Sequence, residues 1–176
     1  MSYSIALSAY TTERLFVRHW RDDLADPARR GELERGLLRI LTSTVLAHLP
    51  PSLQVEKGRI SNWVTDRAKE SEVFVIKSEK SGDLLGLMLL VAQMDEGKPP
   101  HIHLGYLLAE PAWGRGYATE VIRGLVAALT PLGPFDVMGG VGVDNPASAK
   151  VLTRAGFVKD AEHSAPETEM YVLKLR

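Results

Sequence analysis

Cysteine is absent from the 176 residues. Its absence excludes a disulfide scaffold, a thiolate zinc site, an iron–sulfur cluster and a thiol nucleophile. A surplus of one charge is also missing: 21 Lys and Arg stand against 22 Asp and Glu, for a formal net charge of -1. That balance, with no aromatic–basic stacking motif, argues against direct nucleic-acid binding. The longest near-continuous apolar run, Leu84 to Met94, falls far short of the roughly 20 residues that a membrane helix needs. The first stretch carries Glu13, Asp22, Asp23 and Asp26 without a long apolar core, so no secretory signal is read and the expected location is the cytoplasm. Repeats and low-complexity segments are lacking too. The length fits one domain of about 150 residues or a little more, and 45% hydrophobic against 24% charged residues is the balance of a chain with a sizeable core.

What is present alternates between strand and helix patterns. Thr12 to Trp20 predicts a first strand around Leu15-Phe16-Val17. Asp22 to Leu49 predicts one kinked helix or two, with Leu33, Leu37, Leu38 and Leu41 at helical spacing, ended by Pro50-Pro51. Ser52 to Lys69 predicts another helix. Glu72 to Lys77, Leu84 to Met94 and His101 to Leu108 predict three strands, the first two joined at the turn residues Ser81-Gly82-Asp83. Ala118, Val121, Ile122, Leu125, Val126 and Leu129 form the clearest amphipathic stripe. Phe135 to Val143 predicts a strand, and Asn145-Pro146 an N-cap with Pro at the first helical position. Phe157 to Glu162 and Glu169 to Leu175 predict a closing strand pair. The expected class is α+β (mixed α/β), with a central mixed, mostly antiparallel sheet of about seven strands flanked by about four helices.

The most informative segment is Trp113-Gly114-Arg115-Gly116-Tyr117-Ala118-Thr119, between a strand and the best helix. A helix start presents unpaired N–H groups and the positive end of the helix dipole. Gly114 and Gly116 let an anion approach them, and Arg115 adds charge. The same residues equally serve a tight turn that needs glycine. A dinucleotide fingerprint fits worse, because position 119 is Thr and the loop follows the fourth strand rather than the first.

Trp113 to Ala118 resembles the Gln/Arg-x-x-Gly-x-Gly/Ala signature of the GNAT superfamily of N-acetyltransferases, with Trp113 in place of the Gln or Arg. Tyr106 through Glu120 resembles more narrowly its RimJ/RimL-like branch, which acetylates N-termini of ribosomal proteins. Asn145 to Leu152, with Ala155-Gly156-Phe157, is similar to that branch's second motif. Thr12-Glu13-Arg14-Leu15-Phe16-Val17-Arg18 is similar to its first strand. The resemblance implies transfer of an acetyl group from acetyl-CoA to a primary amine by direct attack through a tetrahedral intermediate, without a metal. The acceptor it implies is a protein N-terminal α-amine. A small molecule, such as an antibiotic or a polyamine, is the alternative, and a non-catalytic CoA-binding regulatory protein is another. It further implies one domain over residues 1–176, with the cofactor half at about 101–157 and the acceptor side at about 22–71 and 157–176, segments that could also carry a homodimer contact.

Carried onto this sequence, the resemblance places the CoA pyrophosphate on the amides from Gly114 to Thr119. It places the pantetheine arm between splayed strands ending near Leu108 and Val143, paired with backbone around Leu107 and Leu108. Asn145 and Ser148 would face the sulfur end, and Lys150 a CoA phosphate. Trp113 is expected to pack under the loop, or else to flank the CoA. For the general base, relatives often have an acidic residue where this chain has His103; a neutral imidazole can do the same work. A second carboxylate has no counterpart among Gly139, Gly140 and Gly142. For the proton to the departing thiolate, Ser148 is the first candidate, with helix capping as its plainer role. Tyr171 is the second, with strand packing as its plainer role. The oxyanion would take a backbone N–H near Leu107 or Leu108.

Overall fold

A computed structural model describes residues 4–176. Its centre is one eight-stranded sheet in the order β1-β2-β3-β4-β5-β6-β8-β7. The strands are β1 (Ala9–Thr11), β2 (Leu15–His19), β3 (Glu72–Ser78), β4 (Leu84–Gln93), β5 (His101–Leu108), β6 (Phe135–Gly142), β7 (Val158–Ala165) and β8 (Thr168–Leu175). Every neighbouring pair is antiparallel except β5 and β6. A parallel pair needs a crossover, and helix α5 (Tyr117–Leu129) provides it.

Alternation along the strands divides the apolar residues between two faces. Phe74, Ile76, Met88, Leu90, Ile102 and Leu104 lie under α5 and α6 (Pro146–Arg154), where Val121, Ile122, Leu125 and Leu152 are buried with them. Val73, Val75, Leu87 and Leu89 face the opposite way, toward α1 (Arg21–Ala25), α2 (Pro27–Ile40), α3 (Ser43–Ala47) and α4 (Ile60–Glu70). Leu33, Leu37, Trp63 and Val64 close that second core. Each fully buried side chain of this kind contributes about 1.5–3 kcal/mol.

Two expectations are corrected. The strand count is eight rather than seven, because the three residues of β1 pair with β2 at Ala9↔Arg18, Tyr10↔Val17 and Thr11↔Phe16. Among the described residues the α-helices number six rather than about four. The early helical region breaks into three, since Asp26 caps α2 by accepting from the Ala28 and Arg29 amides, with Pro27 at the first helical position, and Thr42 caps α3. The arginines of α2 go largely to structure: Arg30 ties to Glu34 and to the Ser61 carbonyl of α4, and Arg29 reaches Asp23.

Candidate active site

The sheet opens at one place. β5 and β6 pair only from His101↔Asp136 to Leu104↔Gly139. β5 nevertheless stays paired with β4 as far as Leu108, and β6 with β8 as far as Gly142. The two strands therefore part while each is held from its outer side, and the gap is a wedge with fixed walls. The Ala109 amide donates to the Leu85 carbonyl at 2.8 Å, which fixes the phase of the β4–β5 ladder. In that phase Leu107 turns its peptide groups to β4, and Tyr106 and Leu108 turn theirs to the gap. The Leu107 side chain is buried in the core on the α1–α4 face. The free edge of β5 beyond its pairing with β6 thus presents the peptide groups of Tyr106 and Leu108, and not those of Leu107. The Leu108 carbonyl already accepts from Trp113 Nε1 at 2.8 Å.

At the mouth of the wedge, Gly114 (φ +69°) and Gly116 (φ +79°) turn the chain into α5. Both dihedrals lie in the left-handed region that side chains disfavour. Asp26, Thr42 and Asn145 cap α2, α3 and α6, whereas the first amides of α5, like those of α1 and α4, have no side-chain cap. The N–H groups of Tyr117, Ala118 and Thr119 point out of that helix end. Arg115 lies 5.2 Å from the Tyr117 ring centre and Arg14 4.3 Å from it. Arg14 also donates to the Arg115 carbonyl at 3.0 Å and to Glu120 at 2.7 Å. A groove of about 690 Å³ beside this loop is lined by Arg14, Gly116, Thr119, Glu120, Arg123 and Arg154, among others. Burial alone would raise the Glu120 carboxyl, but hydrogen bonds from Thr12 and Arg14 outweigh it and hold the group below its ordinary value. Lys150 is exposed on α6. Trp113 does not pack under the loop: it is 41% exposed, and its ring meets His48 edge-on at 5.8 Å.

On the α6 side of the wedge, Tyr106 and Ser148 share a hydrogen bond of 2.6 Å between their hydroxyls. Ser148 is not the cap of α6. That role belongs to Asn145, whose side-chain oxygen accepts from the Ser148 amide at 3.3 Å. Burial pushes the Tyr106 phenol up, with the Ser148 hydrogen bond opposing it, so the group is a neutral hydroxyl at ordinary pH. Sequence reading placed Tyr106 in a motif without giving it a role. Tyr171 stands apart from this pair: it is buried on β8 opposite Gly139, and its hydroxyl donates to Glu169 at 2.9 Å.

His103 lies on the other face of the sheet, opposite Val91 of β4 and Met138 of β6. It lines a recess of about 220 Å³ together with Gly105, Leu53, Arg67 and Glu70. Nothing lies within 4 Å of where a Gly105 side chain would begin, so the β5 backbone is open to the recess just beyond its last pairing with β6. Burial lowers the His103 imidazole, and the neighbouring His101 lowers it further. The two rings meet edge-on at 5.4 Å, and His101 is engaged with Gln93 at 3.2 Å. The vertex of the wedge therefore has a neutral imidazole on one face and a pair of hydroxyls on the other.

The acetyltransferase (GNAT) domain family matches residues 14–158. The chain belongs to that family. It is an acetyl-CoA-dependent N-acetyltransferase. No curated protein gives a significant match. Among solved structures, a probable GNAT-family acetyltransferase from Chromobacterium violaceum is 20% identical with a TM-score of 0.69, over 99% of this chain and 89% of that one. Ribosomal-protein-S5-alanine acetyltransferase from Vibrio fischeri is 17% identical with a TM-score of 0.68, over 96% and 97%. Spermidine N-acetyltransferase from Vibrio cholerae, solved with CoA and spermine, is 13% identical with a TM-score of 0.67, over 93% and 97%. At these identities the likeness speaks of the fold. Among the described residues no helix is long and apolar enough to cross a membrane.

Proposed function

We propose that this GNAT domain binds acetyl-CoA in the β5–β6 wedge and acetylates a primary amine that approaches over His103. The observation that carries the reading is the coincidence of three features at one point: the wedge, the uncapped α5 amides at its mouth, and polar groups on both faces of its vertex. Acetyl-CoA brings an activated thioester. The amides of Tyr117, Ala118 and Thr119, with Arg115 and Arg14, hold its phosphates, and Lys150 offers a further cation. Tyr106 and Leu108 pair with the extended arm as an added strand would. The Tyr106 N–H, the first beyond the β5–β6 pairing, takes the developing oxyanion. His103 accepts the proton of the attacking amine, and Ser148, hydrogen-bonded to Tyr106, donates to the departing sulfur. Tyr171 is left out, because its hydroxyl is spent on Glu169.

The similarity of Thr12 to Arg18, Tyr106 to Glu120 and Asn145 to Phe157 to the RimJ/RimL-like pattern supports an α-amine at a protein N-terminus as acceptor. The small recess favours a second reading, a small-molecule amine. Both need the same chemistry. Replacing Ser148 by Ala, and Tyr106 by Phe, should each lower kcat by about ten- to a hundredfold while the KM for acetyl-CoA stays within about twofold. Unchanged kcat in both variants would move the proton donor elsewhere.

A further inference from the structure

The recess that His103 lines is also lined by two charged side chains, Arg67 and Glu70, that acetyl transfer to a simple amine does not need. Among the described residues, Asp23 and Arg67 are the charged side chains that are buried. Asp23 is answered fully, by two hydrogen bonds from Arg18 at 2.7 and 2.9 Å and by Arg29 at 3.4 Å. Arg67 is answered less well. It donates to the Ser52 carbonyl through Nη1 and to Glu70 through Nη2 at 2.6 Å, and it lies 5.7 Å from the Trp63 ring centre. The Glu70 side chain is 62% exposed, so its charge is largely spent on water. A guanidinium has five N–H donors in a planar fork suited to a carboxylate. These partners engage both terminal nitrogens, no buried side-chain nitrogen or oxygen among the described residues lacks a partner, and the residue is 7% exposed, so a ligand would take the remaining N–H bonds of nitrogens already partnered or open to solvent.

We infer that the recess reads an amino-acid-like acceptor, with the α-amine at His103 and its own carboxylate or carbonyl oxygen on Arg67. This rests on the proposal that the acceptor enters over His103. Leu53, Leu89 and Val91 line the recess between its polar ends, which suits a small apolar side chain. About 220 Å³ is below the roughly 300–1,000 Å³ of drug-sized pockets. A polyamine is the wrong complement. Its second ammonium would meet a buried guanidinium, with one solvated carboxylate to offset the repulsion. Arg67 is thus a specificity residue that orients the acceptor, and it also fastens the turn at Ser52.

The test is thiol release from acetyl-CoA by the full chain with matched acceptors: alanine, valine, leucine and methionine, each beside the amine left when its carboxyl group is removed, with leucinamide and spermidine added. At least one amino acid should exceed its matched amine in kcat/KM by tenfold or more. Leucinamide should fall between leucine and its matched amine, and spermidine should be lowest. In Arg67→Met the ratio of amino acid to amine should fall close to one through a higher acceptor KM, and Arg67→Lys should keep part of it. A residue that only fastened the turn would change both members of a pair alike. The inference is overturned if amines match or exceed their amino acids, if no amino acid is acetylated, or if the ratio survives in a folded Arg67→Met. If Arg67→Met does not fold, Glu70→Gln provides the same readout: removing the competing carboxylate should raise the ratio, and a fall would count against the inference. Failure of the underlying reading is seen separately: absence of acetyl-CoA binding would remove the donor site, and a pH–rate profile unaltered in His103→Gln would remove His103 from the acceptor's path.

Discussion

In the proposed mechanism, His103 and the Tyr106–Ser148 pair divide the proton chemistry between the two faces of the sheet. An imidazole has an ordinary value of about 6.5; at His103 burial and His101 both lower it. The sign follows directly. Depression favours the neutral ring, so the base remains competent to a pH below the ordinary value. The acid limb of kcat/KM should therefore inflect below about pH 6.5. His103→Gln should remove that inflection and lower the plateau, read from a pH–rate profile at saturating acetyl-CoA. An unaltered profile would assign the base to water. Little of this division was legible in the sequence. The period of two places His101 and His103 on one face, but Tyr106 and Ser148 are 42 residues apart, and no local pattern announces their contact. Arg67 likewise reads as an ordinary basic residue near a helix end until burial and the recess give it a setting.

At the scale of elements, the loop before α5 is held from outside by the β1–β2 turn. Thr12 and Arg14 both bond to Glu120 in the first turn of the helix, at 2.5 Å from the Thr12 hydroxyl and 2.8 Å from the Arg14 amide. Glu120 is depressed in the fold, so it contributes stability that is present above its unfolded value and lost as pH falls through the folded one. Glu120→Gln should cost about 1–3 kcal/mol at neutral pH, and the difference should shrink on acidification below about pH 4.3. Urea unfolding at several pH values measures this, and a cost independent of pH would mean that the carboxylate charge plays no part. Periodic elements such as α5 and β5 were legible because their apolar residues repeat over several turns or pleats. β1 was not, since three residues, Ala9–Thr11, carry too little pattern and owe their strand to pairing with β2. The division between α1 and α2 did have a signal. Asp26-Pro27 is the same cap-and-proline pair as Asn145-Pro146, but the leucine spacing across Asp22 to Leu49 masked it.

Over the whole molecule, one sheet carries two cores, and the proposed catalytic point is where the sheet comes apart between them. α5 supplies both the crossover that makes β5 and β6 parallel and the amides at the mouth of their gap. The left-handed glycine turn into α5 and the Asn145 cap of α6, on which the proposed donor side rests, were legible because each is contiguous in sequence. The acceptor side was not, because its walls come from α4, the turn at Pro50 to Leu53, β4 and β5, which only the fold brings together. The central claim is that this wedge and loop bind acetyl-CoA. Its most direct test is calorimetric titration of acetyl-CoA into the native chain and into Gly116→Asp, with desulfo-CoA and NADH alongside and circular dichroism to verify the fold. Asp at position 116 would set a carboxylate at the helix end and strain a left-handed turn. Saturable binding of both CoA compounds to the native chain, none of NADH, and loss of binding in folded Gly116→Asp are expected. No saturable binding to the native chain, or an unchanged affinity in the variant, would contradict the central claim.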